Sequence, residues 1–311
     1  MNNLTVTVII PTWRPDERFR KLICGLQSQT IRPDRILIMN TEEQFFDSTL
    51  VENVDDLCIR HIRKEDFDHG ATRDMAARMA ATDIILFMTM DAIPADGFMI
   101  ERLLEPFHDS RVCASYARQL PAQDCKPLER CTRMFNYGEE SMIKTKSDLP
   151  RLGIKTFFCS NACAAYRRSM YLELGGFVKH TIFNEDMIFA GNLIRADRAI
   201  AYCAEAKVIH SHNYSGIQQL KRNFDLGVSQ ADHPEIFSMA RSESEGSRLV
   251  RRTAKALIDM GKPHYLPQLV WQSGCKLIGY RMGKNYQRLP EWMIMALTMN
   301  PTYWKKCSSQ N

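Results

Sequence analysis

The chain has 311 residues, of which 45% are hydrophobic and 25% charged. These proportions are typical of a folded globular protein and exclude a disordered, collagen-like or low-complexity chain. The charge is uneven: residues 248–311 hold 11 Lys and Arg against two acidic residues, a net charge of +9, which leaves −4 on the preceding chain. An acidic body with a basic end argues against a nucleic-acid binder and predicts one local anionic partner.

Targeting and redox signals are weak in this sequence. No apolar run approaches the roughly 18 residues that span a bilayer, and the opening residues MNNL lack the basic and apolar regions of a signal peptide. We therefore expect a cytoplasmic protein. The ten cysteines are scattered without a C-x-x-C pair, so neither a zinc ribbon nor a redox motif is indicated.

The first 115 residues alternate strand and helix patterns. Apolar, β-branched runs predict strands at residues 5–10 (ended by Pro11), 35–39, 57–62, 84–88 and 112–117. Helical spacing of apolar residues predicts helices over residues 19–26 (opened by Pro15-Asp16), 72–81 and 95–107. This alternation predicts an α/β fold with a mostly parallel sheet covered by helices on both faces.

The remaining chain becomes helical beyond about residue 215. Two further strands are predicted at residues 162–166 and 199–209. Further helices are predicted at residues 128–139, 184–195, 249–260, 266–282 and 292–299.

Ligands of such folds bind at the carboxyl ends of the strands. The first strand is followed by PTWR without a glycine-rich turn, which argues against a dinucleotide fold and against a sugar-nucleotide pyrophosphorylase. Asp91 follows the fourth strand. A carboxylate at this place either holds a divalent metal against a diphosphate or caps the next turn.

The segment from Asp68 to Asp74 combines a glycine, a basic residue and capping residues before a helix. Gly70 permits a close backbone approach, and Arg73 can either reach a phosphate or pair with an acid. The alternative is a plain helix start capped by Asp68 or Thr72.

Two later segments carry titratable side chains. Asn184-Glu185-Asp186 is predicted to open a helix, with Asn184 as the N-cap and the two acids in the first turn. Capping explains this pattern, and the helix dipole favours the ionised form of Asp186. His210 and His212 end a strand and share one face of it. They fit either a metal site or two structural histidines.

Six segments in this order resemble family-2 glycosyltransferases with the GT-A fold, most closely the bacterial rhamnosyltransferase type. They are TVTVIIPTWRP, FDHGATRDMAA, ILFMTMDAIP, SNACAAYRRSMYLELGGF, NEDMIFAGNLI and VIHSHNYS, and the C-terminal KLIGYRMGKNYQRLPEWMIMALTMNPTYW is also similar. The resemblance covers nearly the whole chain. It implies a Rossmann-like catalytic domain at 1–235, with a nucleotide-sugar half at about 1–117 and an acceptor half at about 118–235, and a basic helical extension at 236–311.

The resemblance also implies roles for single residues. Asp91 matches the last aspartate of the D-x-D metal motif, whose first aspartate is replaced by Thr89. His210 or His212 matches a late histidine that completes a site for Mg²⁺ or Mn²⁺. Asp186 matches the catalytic base, with Glu185 as the alternative. The residues implied in binding the nucleotide sugar are Pro11, Thr12, Arg14, Asn40, Asp68, Gly70, Arg73 and Met90.

The implied reaction moves a sugar from a nucleoside diphosphate, with dTDP-L-rhamnose as the expected donor, to a lipid-linked saccharide in bacterial surface polysaccharide synthesis. One base opposite the leaving group gives inversion, and a cation with basic groups such as Arg73 neutralises the diphosphate. A UDP-sugar donor and a non-catalytic nucleotide-sugar-binding subunit are the alternatives. A nucleotidyltransferase is disfavoured by the missing glycine loop.

A lipid-linked acceptor places the protein at the inner face of the cell membrane. We expect residues 266–306, which are basic and aromatic, to bind the membrane surface without a spanning helix. Packing of an amphipathic helical subdomain on the catalytic domain is the alternative. No nucleic-acid partner is expected, and the sequence leaves an oligomer open.

Overall fold

The computed structural model of the protein describes residues 4–240 and 243–308. Its strands are β1 (Val6–Trp13), β2 (Arg35–Thr41), β3 (Leu57–Ile62), β4 (Ile84–Met88), β5 (Ile93–Pro94), β6 (Val112–Leu120), β7 (Met142–Lys144), β8 (Cys163–Arg167) and β9 (Ala199–Ile209). Its helices are α1 (Glu17–Gln27), α2 (His69–Met79), α3 (Met99–Leu104), α4 (Pro127–Asn136), α5 (Leu149–Leu152), α6 (Arg168–Glu173), α7 (Glu185–Arg195), α8 (Gly216–Asp232), α9 (Pro234–Phe237), α10 (Glu243–Asp259), α11 (Leu266–Lys284), α12 (Glu291–Leu297) and α13 (Pro301–Ser308).

The chain forms two compact units. The first contains the residues up to Leu120 together with Tyr137–Lys179 and Glu185–His210. The second contains Pro121–Asn136, His180–Asn184 and the chain from Ser211 onward. This grouping is discontinuous in sequence, because proximity in space defines a compact unit. The predicted boundary at residue 235 and the predicted halves at 117 and 118 divide the sequence differently.

The first unit is built on one mixed sheet. Its strand order is β3-β2-β1-β4-β8-β6-β9-β5, and β7 pairs with β9. The pairs along β3-β2-β1-β4 and the pair β6-β9 are parallel. β8 runs antiparallel between β4 and β6, and β5 and β7 run antiparallel to β9. β4 and β6 are both antiparallel to β8 and therefore run in the same direction, and β9 is parallel to β6. The carboxyl ends of β4, β6 and β9 therefore lie at the same edge of the sheet.

The core of the first unit explains why its predicted elements form. β1 and β4 are buried along the sheet centre, as expected for strands with neighbours and helices on both faces. In α1, residues Phe19, Leu22, Ile23 and Leu26 form the buried face. The Asp16 carboxylate accepts a hydrogen bond from the Arg18 backbone N–H at 2.9 Å and begins this helix, as predicted.

Several predicted boundaries in the first unit differ from the observed ones, and three of these differences bear on the site. Pro11 does not end β1, which continues to Trp13. Because β4 pairs with β1 only at Val6–Ile9, the missing backbone N–H of Pro11 interrupts no hydrogen bond between these two strands. Asn40 lies inside β2 rather than after it. The helix predicted over 95–107 begins only at Met99, because β5 occupies Ile93–Pro94 and the Ala95 N–H still bonds the Lys207 carbonyl of β9.

The second unit is helical, and α8 and α11 pack with their backbones in contact. A Cβ atom on Gly279 would lie 2.1 Å from the Leu220 carbonyl oxygen, and one on Gly283 would lie 2.1 Å from the Phe224 carbonyl oxygen. Only glycine leaves room for this approach. α8 begins with a capping box formed by Ser215 and Gln218.

α11 also carries a surface that its own unit does not cover. Val270 and Trp271 are 70% and 59% exposed, and Leu277 and Ile278 are about half exposed. We call these four residues the α11 stripe. Among residues 4–240 and 243–308, no helix combines the length and the apolar composition that crossing a bilayer requires.

Candidate active site

Asp91 and His210 lie together at the carboxyl edge of the sheet. Asp91 follows β4 and His210 follows β9, and the pairing of Ile93 with Ile209 brings the two chain segments side by side. The His210 Nε2 atom lies 3.5 Å from an Asp91 carboxylate oxygen. The two-residue strand β5 thus explains how residues so distant in sequence form a pair.

The ring of His210 is oriented by two residues behind it. Its Nδ1 lies 2.8 Å from Oε1 of the buried Gln119, and the Gln119 amide nitrogen donates to the Ser160 hydroxyl at 2.9 Å. Since an amide oxygen only accepts, Nδ1 carries the proton in this arrangement. Nε2 therefore faces Asp91 as an electron-pair donor when the ring is neutral, which is the usual state of a metal-binding histidine.

His212 and Thr89 complete the residues predicted around this pair. His212 lies two residues beyond His210, at the start of the second unit, where its ring contacts that of Tyr214 at a centroid distance of 5.3 Å. The Thr89 hydroxyl oxygen is buried and has no hydrogen-bond partner among the described residues. A carboxylate, an imidazole and an orphaned hydroxyl fit a cation–diphosphate ligand at this edge.

Glu185 and Arg73 form a buried ion pair in the first unit. The Arg73 guanidinium lies 3.1 Å from a Glu185 carboxylate oxygen, and it also donates to the His69 carbonyl. Burial opposes ionisation of Glu185, but Arg73, His69 and Asn161 outweigh it and hold the pKa of Glu185 below its ordinary value. Of the two options for Arg73, pairing with an acid is the one observed. The predicted phosphate contact of Arg73 stays a prediction.

Asp186 stands beside this pair with a different environment. Its carboxylate accepts hydrogen bonds from the Asn161 backbone N–H at 3.0 Å and the Met187 N–H at 2.8 Å. Burial and the adjoining charge of Glu185 nevertheless raise the pKa of Asp186 to about 7. The expectation that the helix dipole keeps Asp186 firmly ionised is therefore wrong, since desolvation and a like charge outweigh it.

Asp186 lies at the same sheet edge as Asp91. Cys163, the first residue of β8, pairs with Met88, the last residue of β4. Asn161 precedes this point by two residues and holds Asp186. Asn161 was not singled out from the sequence, although it lies within the SNACAAY segment.

Asn40 and Thr12 tie strand ends together. The Thr12 hydroxyl donates to the Asn40 amide oxygen at 3.1 Å, and the Asn40 amide nitrogen contacts the Glu42 carbonyl and the His61 ring. Asn40 is fully buried. The amide of Asn40 is occupied by protein partners, and its predicted contact with a nucleotide stays a prediction.

Arg14 lies in a cluster of aromatic and basic side chains at the end of β1. Its backbone has a φ of 50°, and its guanidinium lies 4.2 Å from the centre of the Phe45 ring and 5.2 Å from that of Trp13. Lys64 lies 5.8 Å from the Trp13 ring on the same edge. The positions of Trp13 and Phe45 beside Arg14 were not predicted from the sequence. The available signal was a large aromatic residue directly after a run of apolar strand residues.

The remaining predicted residues have structural contacts. The Asp68 carboxylate caps α2 by accepting the Ala71 N–H at 2.7 Å. A Cβ on Gly70 would lie 2.0 Å from the Val178 carbonyl oxygen, so the close approach expected there is to protein backbone. Pro11 is a half-buried β1 residue, and Met90 packs partly buried against the sheet core. Their predicted contacts with a nucleotide stay predictions.

Comparison with known proteins identifies the family. Residues 7–175 match the family described as Glycosyl transferase family 2. The chain belongs to this family. This family 2 glycosyltransferase is 38% identical over 303 residues to O-antigen chain rhamnosyltransferase RfbN of Salmonella typhimurium, covering 97% of this chain and 96% of that protein. It is 39% identical over 305 residues to O-antigen chain rhamnosyltransferase WbaN of Salmonella anatum, covering 96% and 95%.

Solved structures support the fold of the glycosyltransferase. A mannosyltransferase from Pyrobaculum calidifontis, in complex with GDP-Man and Mn²⁺, aligns with a TM-score of 0.58 at 14% identity, covering 98% of this chain and 89% of that one. Residues 1–349 of Staphylococcus aureus TarS, in complex with UDP-GlcNAc, align with a TM-score of 0.52 at 12% identity, covering 92% of each chain. The predicted GT-A-like fold with a helical C-terminal part is confirmed.

Proposed function

We propose that this glycosyltransferase transfers L-rhamnose from dTDP-L-rhamnose to a lipid-linked saccharide, with inversion at the anomeric carbon. The donor sugar is supported by the two rhamnosyltransferases to which the chain is similar over nearly its full length. The observation that carries the chemistry is the arrangement of Asp91, His210 and Asp186 at one edge of the sheet.

We propose that Asp91, His210 and His212 hold a divalent cation, which when bound would neutralise the departing diphosphate. Each of these residues offers a ligand atom. The orientation of His210 by Gln119 supports this role. Among the two predicted ions, Mn²⁺ suits the set better than Mg²⁺, because Mg²⁺ prefers oxygen ligands and keeps several waters.

Asp186 is the proposed general base. The acceptor hydroxyl oxygen forms a bond to the anomeric carbon while the bond from that carbon to the diphosphate oxygen breaks, and the hydroxyl proton passes to the Asp186 carboxylate. A pKa near 7 suits this transfer at neutral pH. Glu185 is the weaker candidate, because Arg73 already pairs with it. Its fixed negative charge instead helps to set the basicity of Asp186.

We further propose that the second unit binds the inner face of the cell membrane through α11 and its basic neighbours. The α11 stripe supplies exposed apolar and aromatic surface, and Arg281 and Arg288 are exposed near it in sequence. Each basic residue near an anionic surface contributes about 1 kcal/mol, and tryptophan suits the interface. Packing of the apolar face of α11 within the protein, the alternative raised by the sequence, leaves these four side chains unexplained.

The test is a donor panel on the full-length protein with Mn²⁺. dTDP-L-rhamnose should raise the thermal unfolding midpoint, since a hundredfold excess over the dissociation constant adds about 2.7 kcal/mol of apparent stability. Release of dTDP should be faster with a lipid-linked saccharide extract than without it. A larger response to UDP-GlcNAc would instead support the UDP-sugar alternative. Binding of a nucleotide sugar without release of the nucleoside diphosphate would instead favour the non-catalytic subunit.

A further inference from the structure

Lys144 is a buried lysine without an acidic partner. It is the last residue of β7 and is only 2% exposed. Among residues 4–240 and 243–308, no carboxylate lies within ion-pair distance of its ammonium. Burial lowers the pKa of Lys144 to about 7, and the nearby charges of Cys159 and Asp148 oppose this only in part. Burying an ammonium is costly unless its three N–H donors are used, so its contacts require an explanation.

The ammonium of Lys144 holds a short helical turn by its carbonyl groups. It donates to the Tyr116 hydroxyl at 3.1 Å, to the Lys155 carbonyl at 3.1 Å and to the Phe158 carbonyl. The two carbonyls belong to the end of the 3₁₀ turn Gly153–Phe157 and the residue after it. Lysine side chains commonly bond the last carbonyls of a helix in this way. Lys144 therefore fixes the point at which the chain leaves this turn.

The chain that leaves this turn leads directly to the support of Asp186. We call residues 158–162 the support segment. The Asn161 N–H that bonds the Asp186 carboxylate at 3.0 Å belongs to this segment, so its direction depends on how the segment is held. The path is short, because Cys159 lies near both charges. Burial raises the pKa of Cys159 to about 12, Asp186 adds to this rise, and Lys144 opposes it.

The far end of the support segment is fixed to other elements. The Ser160 hydroxyl accepts a hydrogen bond from the Gln119 amide at 2.9 Å. The Ala162 carbonyl accepts one from the Thr89 N–H at 3.2 Å. The support segment is therefore held at both ends, and Lys144 supplies side-chain hydrogen bonds at the first of them.

We propose that Lys144 is a positioning residue for Asp186: its ammonium fixes the support segment and thereby the Asn161 N–H that orients the base. The role of Asp186 as base rests on the proposed function, whereas the fixing of Asn161 by Lys144 does not. A methionine fills nearly the same space but cannot bond to the two carbonyls. Lys144→Met should therefore loosen the support segment without removing any group proposed to touch the substrate.

The experiment compares Lys144→Met with Lys146→Met in the full-length protein. Lys146 is an exposed lysine two residues further along the chain, so its variant is the matched control. Lys144→Gln keeps an N–H donor without the charge, and it decides if Lys144→Met does not fold in thermal unfolding. Steady-state transfer assays give kcat and the donor KM. Amide hydrogen exchange by NMR is followed at Asn161 and, as a measure of global stability, at Ile9 in the buried centre of β1.

We expect kcat of Lys144→Met to fall by about 10- to 100-fold with the donor KM unchanged, the cost of a small misplacement of a reacting group. Exchange at Asn161 should become about tenfold faster while exchange at Ile9 stays the same. In an Asp186→Asn background, Lys144→Met should lower kcat by less than about twofold further, because residues that act as one unit are not additive. Lys144→Gln should change kcat and exchange in the same direction, and Lys146→Met should change neither.

The proposal is overturned if a folded Lys144 variant keeps the kcat of the wild type, or if its loss of kcat is just as large in the Asp186→Asn background. Wild-type turnover of Asp186→Asn, or absence of transfer by the wild type, would contradict the proposed function instead. Exchange at Asn161 then decides alone, and equal rates in the wild type and the Lys144 variant overturn the positioning role.

Discussion

The carboxyl edge of the sheet and the surface around α11 satisfy their polar groups in opposite ways. At the sheet edge, Asp186 is held by two backbone N–H groups, Glu185 by Arg73, and His210 by Gln119. Around α11, Gln219 and Lys276 have no hydrogen bond from their side chains within the described residues. The α11 stripe, moreover, is open to solvent. The first region therefore holds its charged side chains with partners from the chain itself, whereas the second leaves apolar side chains exposed to solvent.

The strongest way to break this comparison is Asp186→Asn. The variant keeps the size of the side chain but cannot take the acceptor proton, so turnover should fall by about 10² to 10⁴ while donor affinity changes little. Steady-state transfer assays and donor titration measure the two quantities. Asp55→Asn, an exposed acid without a hydrogen-bonded partner among the described residues, is the control. Loss of donor binding instead of turnover would reassign Asp186 to donor contact.

Asp91→Asn tests the other half of the sheet edge. Removing the carboxylate charge should lower activity by about 10² to 10³, the range for losing a main electrostatic stabiliser. The apparent affinity for Mn²⁺ should fall in parallel, as measured by activity against metal concentration. Normal turnover of the variant with excess chelator present would mean that Asp91 holds no cation.

Arg73→Met separates ion pairing from phosphate binding. The change leaves Glu185 buried without its partner, so the free energy of unfolding should fall by about 3–5 kcal/mol in denaturant titrations. The double variant Arg73→Met/Glu185→Met should recover most of this loss, because neither charge then stays buried. If Arg73→Met instead left stability unchanged and weakened only donor binding, the predicted phosphate contact would be supported.

The pH profile sharpens the assignment of Asp186. Since the ionised form is the base, kcat/KM should fall about tenfold per pH unit below about 7 and level off above it. Stability should show the opposite trend. The raised pKa favours the protonated folded state, and this contribution is complete below about 4 and lost as the pH rises through about 7. Asp186→Asn should therefore be more stable than the wild type at pH 8, by thermal unfolding. A kcat/KM that stays flat between pH 5 and 8 would contradict the role of base.

The smallest expected effect concerns the open surface of the second unit. Arg281→Gln and Arg288→Gln should weaken flotation with anionic liposomes by about fivefold for each charge, the equivalent of about 1 kcal/mol. Arg251→Gln and Lys255→Gln on α10 remove the same charge elsewhere and serve as the control. Equal binding to neutral and anionic liposomes would leave the basic segment without an electrostatic role.

Continuous runs of apolar residues in the sequence made many of the strands predictable. β3, β4 and β9 were predicted to the residue, because each is an apolar or β-branched run with a sharp end. α8 was not assigned as a separate helix, because it is rich in polar residues. Several of these bond to partners distant in sequence, as Gln230 does with Tyr280 and Asp225 with Thr298.

The candidate site was predictable as a set of residues but not as a set of contacts. Asp91 and His210 were identified by their places after strands, but their pairing depends on β5, which is too short to give a periodic pattern. Glu185 and Asp186 adjoin in sequence and have opposite pKa shifts. The ion pair with Arg73 is the largest favourable influence on Glu185 that Asp186 lacks, and the distance between Arg73 and Glu185 is a property of the folded chain.

The brevity of β5 has a consequence for motion. Its ladder to β9 consists of Ile93 with Ile209 and Pro94 with Val208, continued by the Ala95 N–H bonded to the Lys207 carbonyl at 3.0 Å. So short a ladder should open often, and each opening separates Asp91 from His210. An ion held by Asp91 and His210 would bind only the closed form and would stabilise it. Tighter ion binding should therefore slow amide hydrogen exchange at Ile93 and Ala95 by a corresponding factor. Exchange rates at these two amides would then report cation occupancy without any sugar being transferred.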